Sequence, residues 1–246
     1  MMAIKVDIIF LSYAKNDYLE GLTKQAIKTL LGSEDQEKIK FDVLVIESNK
    51  ALSPYQYEGS KTIYPDADFG FHKYLNIGIN QTHNDYLCLC NNDLIFHEGW
   101  ATEIIKAMDT DPSLLSAVPY CENFHKQNGF AKNSLPLEGY FGVLTGWCIF
   151  VKREIFKIIG PLDENLVFWY CDYDYCNTLE KYSVKNCLIS SSFVTHLGSE
   201  SLNVVNEKQH YELTQLPRIY FNYKWNHRSW LKYQLQLLLT RLRFSN

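Results

Sequence analysis

Three short stretches carry side chains able to do chemistry. Asn91-Asn92-Asp93 directly follows an apolar run at residues 86–90. A carboxylate at the end of a strand, beside amide side chains, can hold a hard divalent cation that in turn binds a diphosphate. Taken alone, the triplet reads first as a turn. Trp169-Tyr170-Cys171-Asp172-Tyr173-Asp174 leads into a helical pattern. Carboxylates at a helix start are favoured by the dipole and the free N–H groups, so Asp172 and Asp174 read either as a cap or as a general base. His196 follows the run Ser192-Phe193-Val194-Thr195 and precedes Leu197-Gly198. A lone histidine is usually structural, but a neutral imidazole can also complete a metal site.

The elements that must position these residues alternate along the chain. Strand-like runs at 6–11, 41–47, 61–64, 86–90, 114–118 and 145–151 are separated by helical patterns at 17–31, 68–81, 98–108, 153–159 and 172–182. Leu19, Leu22, Ala26, Ile27 and Leu30 share one face of the first helix. Such alternation predicts an α/β fold with a largely parallel sheet, whose ligands bind beyond the carboxyl ends of the strands. Ser12, Glu47 and Asn91 to Asp93 stand at those ends. Residues 121–140 form a polar connection longer than usual, a length that often accompanies function. No GxGxxG or GxxxxGK[ST] stretch is present, which argues against a dinucleotide site or a P-loop. Phosphate charge would then be met by a metal or by basic side chains.

Composition sets the outer bounds. The 246 residues can bury one substantial core, and 17 Tyr, 14 Phe and 5 Trp argue against disorder. Seven cysteines without a CxxC pair suit a reduced, cytoplasmic chain, with Cys88 and Cys90 as small core residues. The opening run, interrupted by Lys5 and Asp7, is too short and charged for a signal peptide, and no window reaches the ~20 apolar residues of a membrane span. The net charge of −4 is unevenly spread: from residue 208 onward there are seven Lys/Arg and one acid, Glu212.

Order and spacing join the three stretches. Asp68-Phe69-Gly70-Phe71, Asn76-Ile77-Gly78-Ile79 and Leu89-Cys90-Asn91-Asn92-Asp93 are followed by Glu98-Gly99-Trp100. Downstream come Gly146 through Arg153, Gly160-Pro161-Leu162-Asp163-Glu164, Cys171-Asp172-Tyr173-Asp174-Tyr175-Cys176 and Val194-Thr195-His196-Leu197-Gly198. In this order the chain resembles glycosyltransferase family 2, and more closely its rhamnosyltransferase-like branch, over roughly residues 4–205. The resemblance implies a GT-A fold: Rossmann-like, with a mostly parallel central sheet flanked by helices. It divides the chain into a catalytic domain at 1–205 and a basic, aromatic helical extension at 206–246.

The same resemblance implies an inverting hexosyltransferase-like enzyme using a UDP-, GDP- or dTDP-linked sugar and Mn²⁺ or Mg²⁺. Ser12, Glu47, Asn76, Asn92 and Asp93 would serve the nucleotide-sugar donor, with Asp93 and His196 as metal ligands. Asp172 would be the catalytic base, and Trp169, Tyr170 and Asp174 would lie on the acceptor side. Two positions depart from the family pattern. Asn91 replaces the first acid of the D-x-D-type motif, and Cys171 replaces the Glu of an E-D pair. The alternative reading is a catalytically silent relative that binds a nucleotide sugar or a glycan. A nucleotidyltransferase ranks lower, since Ser12-Tyr13-Ala14-Lys15-Asn16 is not a Gly-rich basic loop.

The extension carries Tyr220-Phe221-Asn222-Tyr223-Lys224-Trp225, then Arg228, Trp230 and Lys232. Leu231, Leu235, Leu238 and Leu242 fall on one helical face, expected to pack back on the catalytic domain. The sharper alternative is peripheral docking on an anionic membrane, where lipid-linked acceptors reside. Partners are thus a nucleotide sugar and a glycan or lipid-linked acceptor. Nucleic acid is not expected, because the body is acidic and no recognition module is visible.

Overall fold

The computed structural model describes residues 3–133, 135–198, 206–226 and 229–243, the last three of these by backbone alone. Its centre is a sheet of nine strands in which six run in one direction. β1 (Ile4–Ser12), β2 (Ile39–Glu47), β3 (Lys61–Ile63) and β4 (Tyr86–Asn91) are mutually parallel, in the order β3-β2-β1-β4. β8 (Cys148–Lys152) then runs antiparallel to β4 and to β6 (Leu114–Tyr120), while β9 (Lys185–His196) returns parallel to β6. β5 (Leu94–Phe96) and the two-residue β7 (Leu137–Glu138) pair antiparallel with β9.

β1 is apolar on both faces because helices cover both. Val6, Ile8 and Phe10 point into one core layer with α1 (Asp17–Leu31) and α3 (Trp100–Thr110). Ile9 and Leu11 point into the other, with α2 (Phe71–Gln81), α4 (Ile155–Ile159) and α5 (Cys171–Lys181). Asn16 caps α1 by accepting from the Leu19 N–H at 2.9 Å. Gly78 lets α2 lie close to the sheet: a Cβ there would come within 2.7 Å of the Ile9 side chain. Near the amino end of β1, the Arg153 guanidinium meets Asp7 at 2.6 Å and donates to the carbonyls of Ile79 and Asn84.

Several expected elements shift. The helix expected from 68 begins at Phe71, because Gly70 is extended and takes the N-cap place. The strand expected from 145 begins at Cys148. The long connection after β6 holds one turn of π-helix, Glu122–Lys126. All seven cysteines are buried and free of disulfides. The Cys88 sulfur lies 3.3 Å from that of Cys90 and 3.7 Å from that of Cys148.

The extension forms two helices, α6 (Glu207–Trp225) and α7 (Trp230–Arg243). α6 packs on the sheet-bearing body through Phe221, which joins Leu166 and Cys171 in a small apolar cluster. α7 packs on α6, with Tyr223 and Tyr233 stacked at 4.6 Å. Leu231, Leu235 and Leu238 are exposed, so this leucine face does not pack back on the body as expected. The side chain of Leu242, the whole of Arg228 and residue 205 of the expected domain boundary lie outside the described residues. No helix among the described residues is long and apolar enough to cross a membrane.

Candidate functional site

The chain runs from β1 outward to β3 and then crosses to β4 on the other side of β1, creating a crevice at the carboxyl ends of β1 and β4. A cavity of about 550 Å³ opens there. Ser12, Tyr13 and Ser48 line it from the ends of β1 and β2, and Asn91, Asn92 and Asp93 from the end of β4. Phe69, Phe71 and Phe168 form an aromatic wall, held by the Phe71 N–H donating to the Val167 carbonyl at 2.6 Å. The remaining side comes from α6, through Gln209, Glu212 and Leu213. Among the described residues the lining has no lysine or arginine, while Asp68, Asp93 and Glu212 contribute carboxylates.

Asp93 and His196 come together because β5 pairs with the end of β9. Leu94 lies opposite His196, and the Leu197 N–H donates to the Asp93 carbonyl at 3.0 Å. The Asp93 Oδ2 and His196 Nε2 atoms are 3.2 Å apart. Their alignment is not that of a hydrogen bond, and buried Nε2 and Asp93 Oδ1 have no hydrogen-bond partner among the described residues. Trp147, at the start of β8, stacks on the His196 ring at 5.4 Å with an interplanar angle of 13°. Unpartnered buried polar atoms cost free energy, so this pair fits a cation. One imidazole with oxygen donors suits Mn²⁺ or Mg²⁺ better than Zn²⁺.

Two other residues expected at the donor, Glu47 and Asn76, do not line this cavity. Glu47 is fully buried, and its carboxylate is spent on the chain. Oε1 accepts from the Ala14 and Asn49 N–H groups at 3.1 and 2.7 Å, and Oε2 from the Tyr57 hydroxyl at 3.0 Å. It shapes the turns that present Tyr13 and Ser48. Asn76 faces the 162–164 turn instead, donating to the Leu162 carbonyl and Glu164 and accepting from the Leu162 N–H. Ser12 and Asn92 do line the cavity, and both bond Thr23 of α1, at 2.9 and 2.8 Å.

Asp172 stands in the first turn of α5, half-buried, and accepts from the Tyr173 N–H at 2.9 Å. Burial pushes its carboxyl above the usual aspartate range. Gly146 packs directly on it, since a Cβ there would come within 2.8 Å of the Asp172 Cβ. Gly146 and Trp147 are adjacent, so one short segment touches both Asp172 and His196. Trp147 and Gly146 lie in a family-like stretch, but nothing in their spacing assigns them these contacts.

Asp174, expected on the acceptor side, bonds to α6. It is buried, and its Oδ1 accepts from Trp225 Nε1 at 2.6 Å and Lys224 Nζ at 2.7 Å, both on α6. Lys224 also reaches Asp163 at 2.7 Å. Burial acts to raise the Asp163 carboxyl, but Lys224 and Asn165 outweigh it and hold it at about 2. Trp169 and Tyr170, expected on the acceptor side, directly precede α5. Tyr170 is left-handed, with φ of 68°, an uncommon state for a tyrosine, and its ring packs on Phe221 at 5.1 Å. Pro217 inside α6 has no N–H to offer the Leu213 carbonyl, which accepts from Trp169 N–H at 3.1 Å.

Comparisons with known proteins agree with this architecture. Residues 8–159 match the family model described as glycosyl transferase family 2. Among solved structures, GalNAc-T7 with UDP, GalNAc and Mn²⁺ aligns at TM-score 0.64 and 11% identity, over 98% of this chain and 55% of that one. The chain thus spans about half the length of that protein's chain. The catalytic domain of Drosophila beta1,4galactosyltransferase 7, in complex with xylobiose, aligns at 0.52 and 11%, over 80% and 72% of the two chains. S. aureus TarS aligns at 0.54 and 13%, over 89% and 40%. At these identities the likeness is one of fold. No curated protein matches the sequence.

Proposed function

We propose that this chain, which belongs to glycosyl transferase family 2, transfers a sugar from a nucleoside diphosphate donor to an acceptor hydroxyl with inversion. The observation that carries this reading is the Asp93–His196 pair, with its unpartnered buried atoms, at a cavity whose described lining has no basic side chain. A diphosphate there faces carboxylates, so a divalent cation on Asp93 and His196 would supply the neutralising charge and offset the charge that develops on the leaving group. Ser12, Tyr13, Ser48 and Asn92 would orient the nucleoside, and the Phe69, Phe71 and Phe168 wall would exclude water.

Asp172 is the base in this reading. It would take the acceptor proton as the hydroxyl oxygen attacks the anomeric carbon opposite the nucleotide. A carboxyl raised by burial is a better proton acceptor than an ordinary aspartate. Cys171, buried with its sulfur on the Leu166 carbonyl, adds no second carboxylate. That departure supports one other reading, a silent relative that binds a nucleotide sugar or a glycan without turnover. Incubating the chain and Mn²⁺ with UDP-, GDP- and dTDP-sugars separates them. Release of free nucleoside diphosphate from one donor supports the enzyme, whereas thermal stabilisation by a donor without any release supports the silent relative.

A second surface supports peripheral docking. Trp230, Leu231, Leu235, Leu238 and Leu239 of α7 are all exposed, in a segment whose charged residues are basic. We propose that this face rests on anionic lipid.

A further inference from the structure

No cysteine lines the large cavity, yet three of the seven converge in the core beside it. Side chains two apart on a strand share a face, so Cys88 and Cys90 of β4 point into the same core layer. Cys148 of β8 lies opposite Cys90 across the antiparallel pair and joins them in that layer. The Cys88 sulfur is 3.3 Å from that of Cys90 and 3.7 Å from that of Cys148. All three sulfurs lie within 4.8 Å of one another. Ile8 and Phe10 of β1 stand beside Cys88 and Cys90 in register, and Phe150 of β8 stands opposite Cys88. The layer is closed by α1 and α3, and each of the three residues is at most 2% exposed. A single buried cysteine acts as a small hydrophobe. Packing asks only for small apolar side chains at these places; it does not ask for three sulfurs in a cluster.

We propose that Cys88, Cys90 and Cys148 form a three-sulfur site for one soft, thiophilic cation, Cu⁺. A metal–sulfur bond of ~2.3 Å to each of three sulfurs in one plane sets the sulfurs about 4 Å apart. The separations of 3.3 and 3.7 Å, with the third within 4.8 Å, come close to that spacing. Thiolate sulfur selects soft ions over Mn²⁺ and Mg²⁺, so this site is chemically distinct from the oxygen and imidazole of Asp93 and His196. Structural Zn²⁺ and iron–sulfur centres take four ligands. Among the described residues no fourth His, Cys, Asp or Glu donor joins these three. Cu⁺ is satisfied by two or three sulfurs and keeps no water, which suits an apolar layer. Each sulfur that binds as thiolate gives its proton to solvent, and the step needs neither oxidant nor reductant. Cys90 precedes Asn91 and Cys148 follows Trp147, so the ion would tie together the two strand ends that lead to the Asp93–His196 pair.

The full chain is refolded from urea without oxygen, with copper kept as Cu⁺ by ascorbate, and then challenged with the Cu⁺ chelator bicinchoninate. One copper per chain should survive the challenge and raise the midpoint of thermal unfolding, because an ion held by the folded chain stabilises it. Copper X-ray absorption should show a first shell of sulfur alone. Cys88→Ala, Cys90→Ala and Cys148→Ala should each surrender the ion to bicinchoninate, while Cys187→Ala, a buried cysteine outside the cluster, should keep it. Zn²⁺ refolded in the same way should not be retained against EDTA. The site is overturned if no copper survives, if the shell is nitrogen and oxygen, or if the three alanine variants hold copper as the wild-type chain does. Should an alanine variant fail to fold, the absorption spectrum of the wild-type chain still decides between sulfur and histidine ligation. The outcome is independent of the donor reading, since neither Asp93 nor His196 is a ligand here.

Discussion

Gly146 and Asp172 touch so closely that no side chain fits between them; a Cβ at residue 146 would sit 2.8 Å from the Asp172 Cβ. The next residue, Trp147, stacks on His196. The proposed base and the proposed metal ligand are therefore spaced by two consecutive residues at the head of β8. Gly146→Ala should push Asp172 off its position and lower kcat by roughly 10- to 100-fold, because small misplacements at a reacting centre are costly. The affinity for nucleotide should stay the same, which calorimetry and steady-state rates on one preparation would check together.

Burial raises the Asp172 carboxyl, and a base works only when ionised. Activity should therefore fall on the acid side at a pH above the ~3.9 of a free aspartate. Asp172→Asn should lower transfer by about a hundredfold or more and leave no such acid limb in the residual rate. A pH profile of kcat/KM for both proteins reads this directly.

Lys224 is the cation shared by two carboxylates, Asp163 and Asp174. Lys224→Met should destabilise the chain by about 3 kcal/mol, the scale for breaking a partly buried ion pair from one side. Urea denaturation measures it. Because the Asp163 carboxyl is held below its unfolded value, its share of stability is present above about pH 4 and lost as pH falls towards 2. In Asp163→Asn that acid-side loss should shrink.

Pro217 leaves the Leu213 carbonyl free for Trp169. Pro217→Ala supplies a helix N–H that competes for this oxygen. The Trp169 amide should then exchange faster with deuterium, and α6 should become the more regular helix. Unchanged exchange at Trp169 would mean that the carbonyl is shared without cost.

The leucine face of α7 gives a membrane prediction. The chain should co-sediment with vesicles containing phosphatidylserine and not with pure phosphatidylcholine, and Leu235→Glu with Leu238→Glu should abolish the pelleting. Equal recovery in the supernatant under every condition would remove the membrane from the account.

What could be read from the sequence was local or ordered. α1 was legible to its ends, since Leu19, Leu22, Ala26, Ile27 and Leu30 mark one face and Asn16 caps it. The order of Asp93, Asp172 and His196 pointed to one site, and β5 pairing with β9 explains why Asp93 and His196 meet. The burial of Glu47 and Asn76 was not legible, because a motif carries no sign of it; both side chains bond the chain itself and do not line the cavity. The partners of Asp174 were hidden for the same reason: Lys224 and Trp225 are some fifty residues away. The part of the cavity wall supplied by Gln209, Glu212 and Leu213 was equally hidden, being a matter of where α6 docks.

In the proposed function, Asp93 and His196 hold the cation through which a nucleoside diphosphate binds. Calorimetric titration of UDP, GDP and dTDP into the chain, with Mn²⁺ and with EDTA, tests it most directly. At least one nucleotide should bind with Mn²⁺, EDTA should abolish the binding, and Asp93→Asn and His196→Ala should each lower the affinity about tenfold or more. Binding of the same strength in EDTA, or in Asp93→Asn with Mn²⁺, would contradict it.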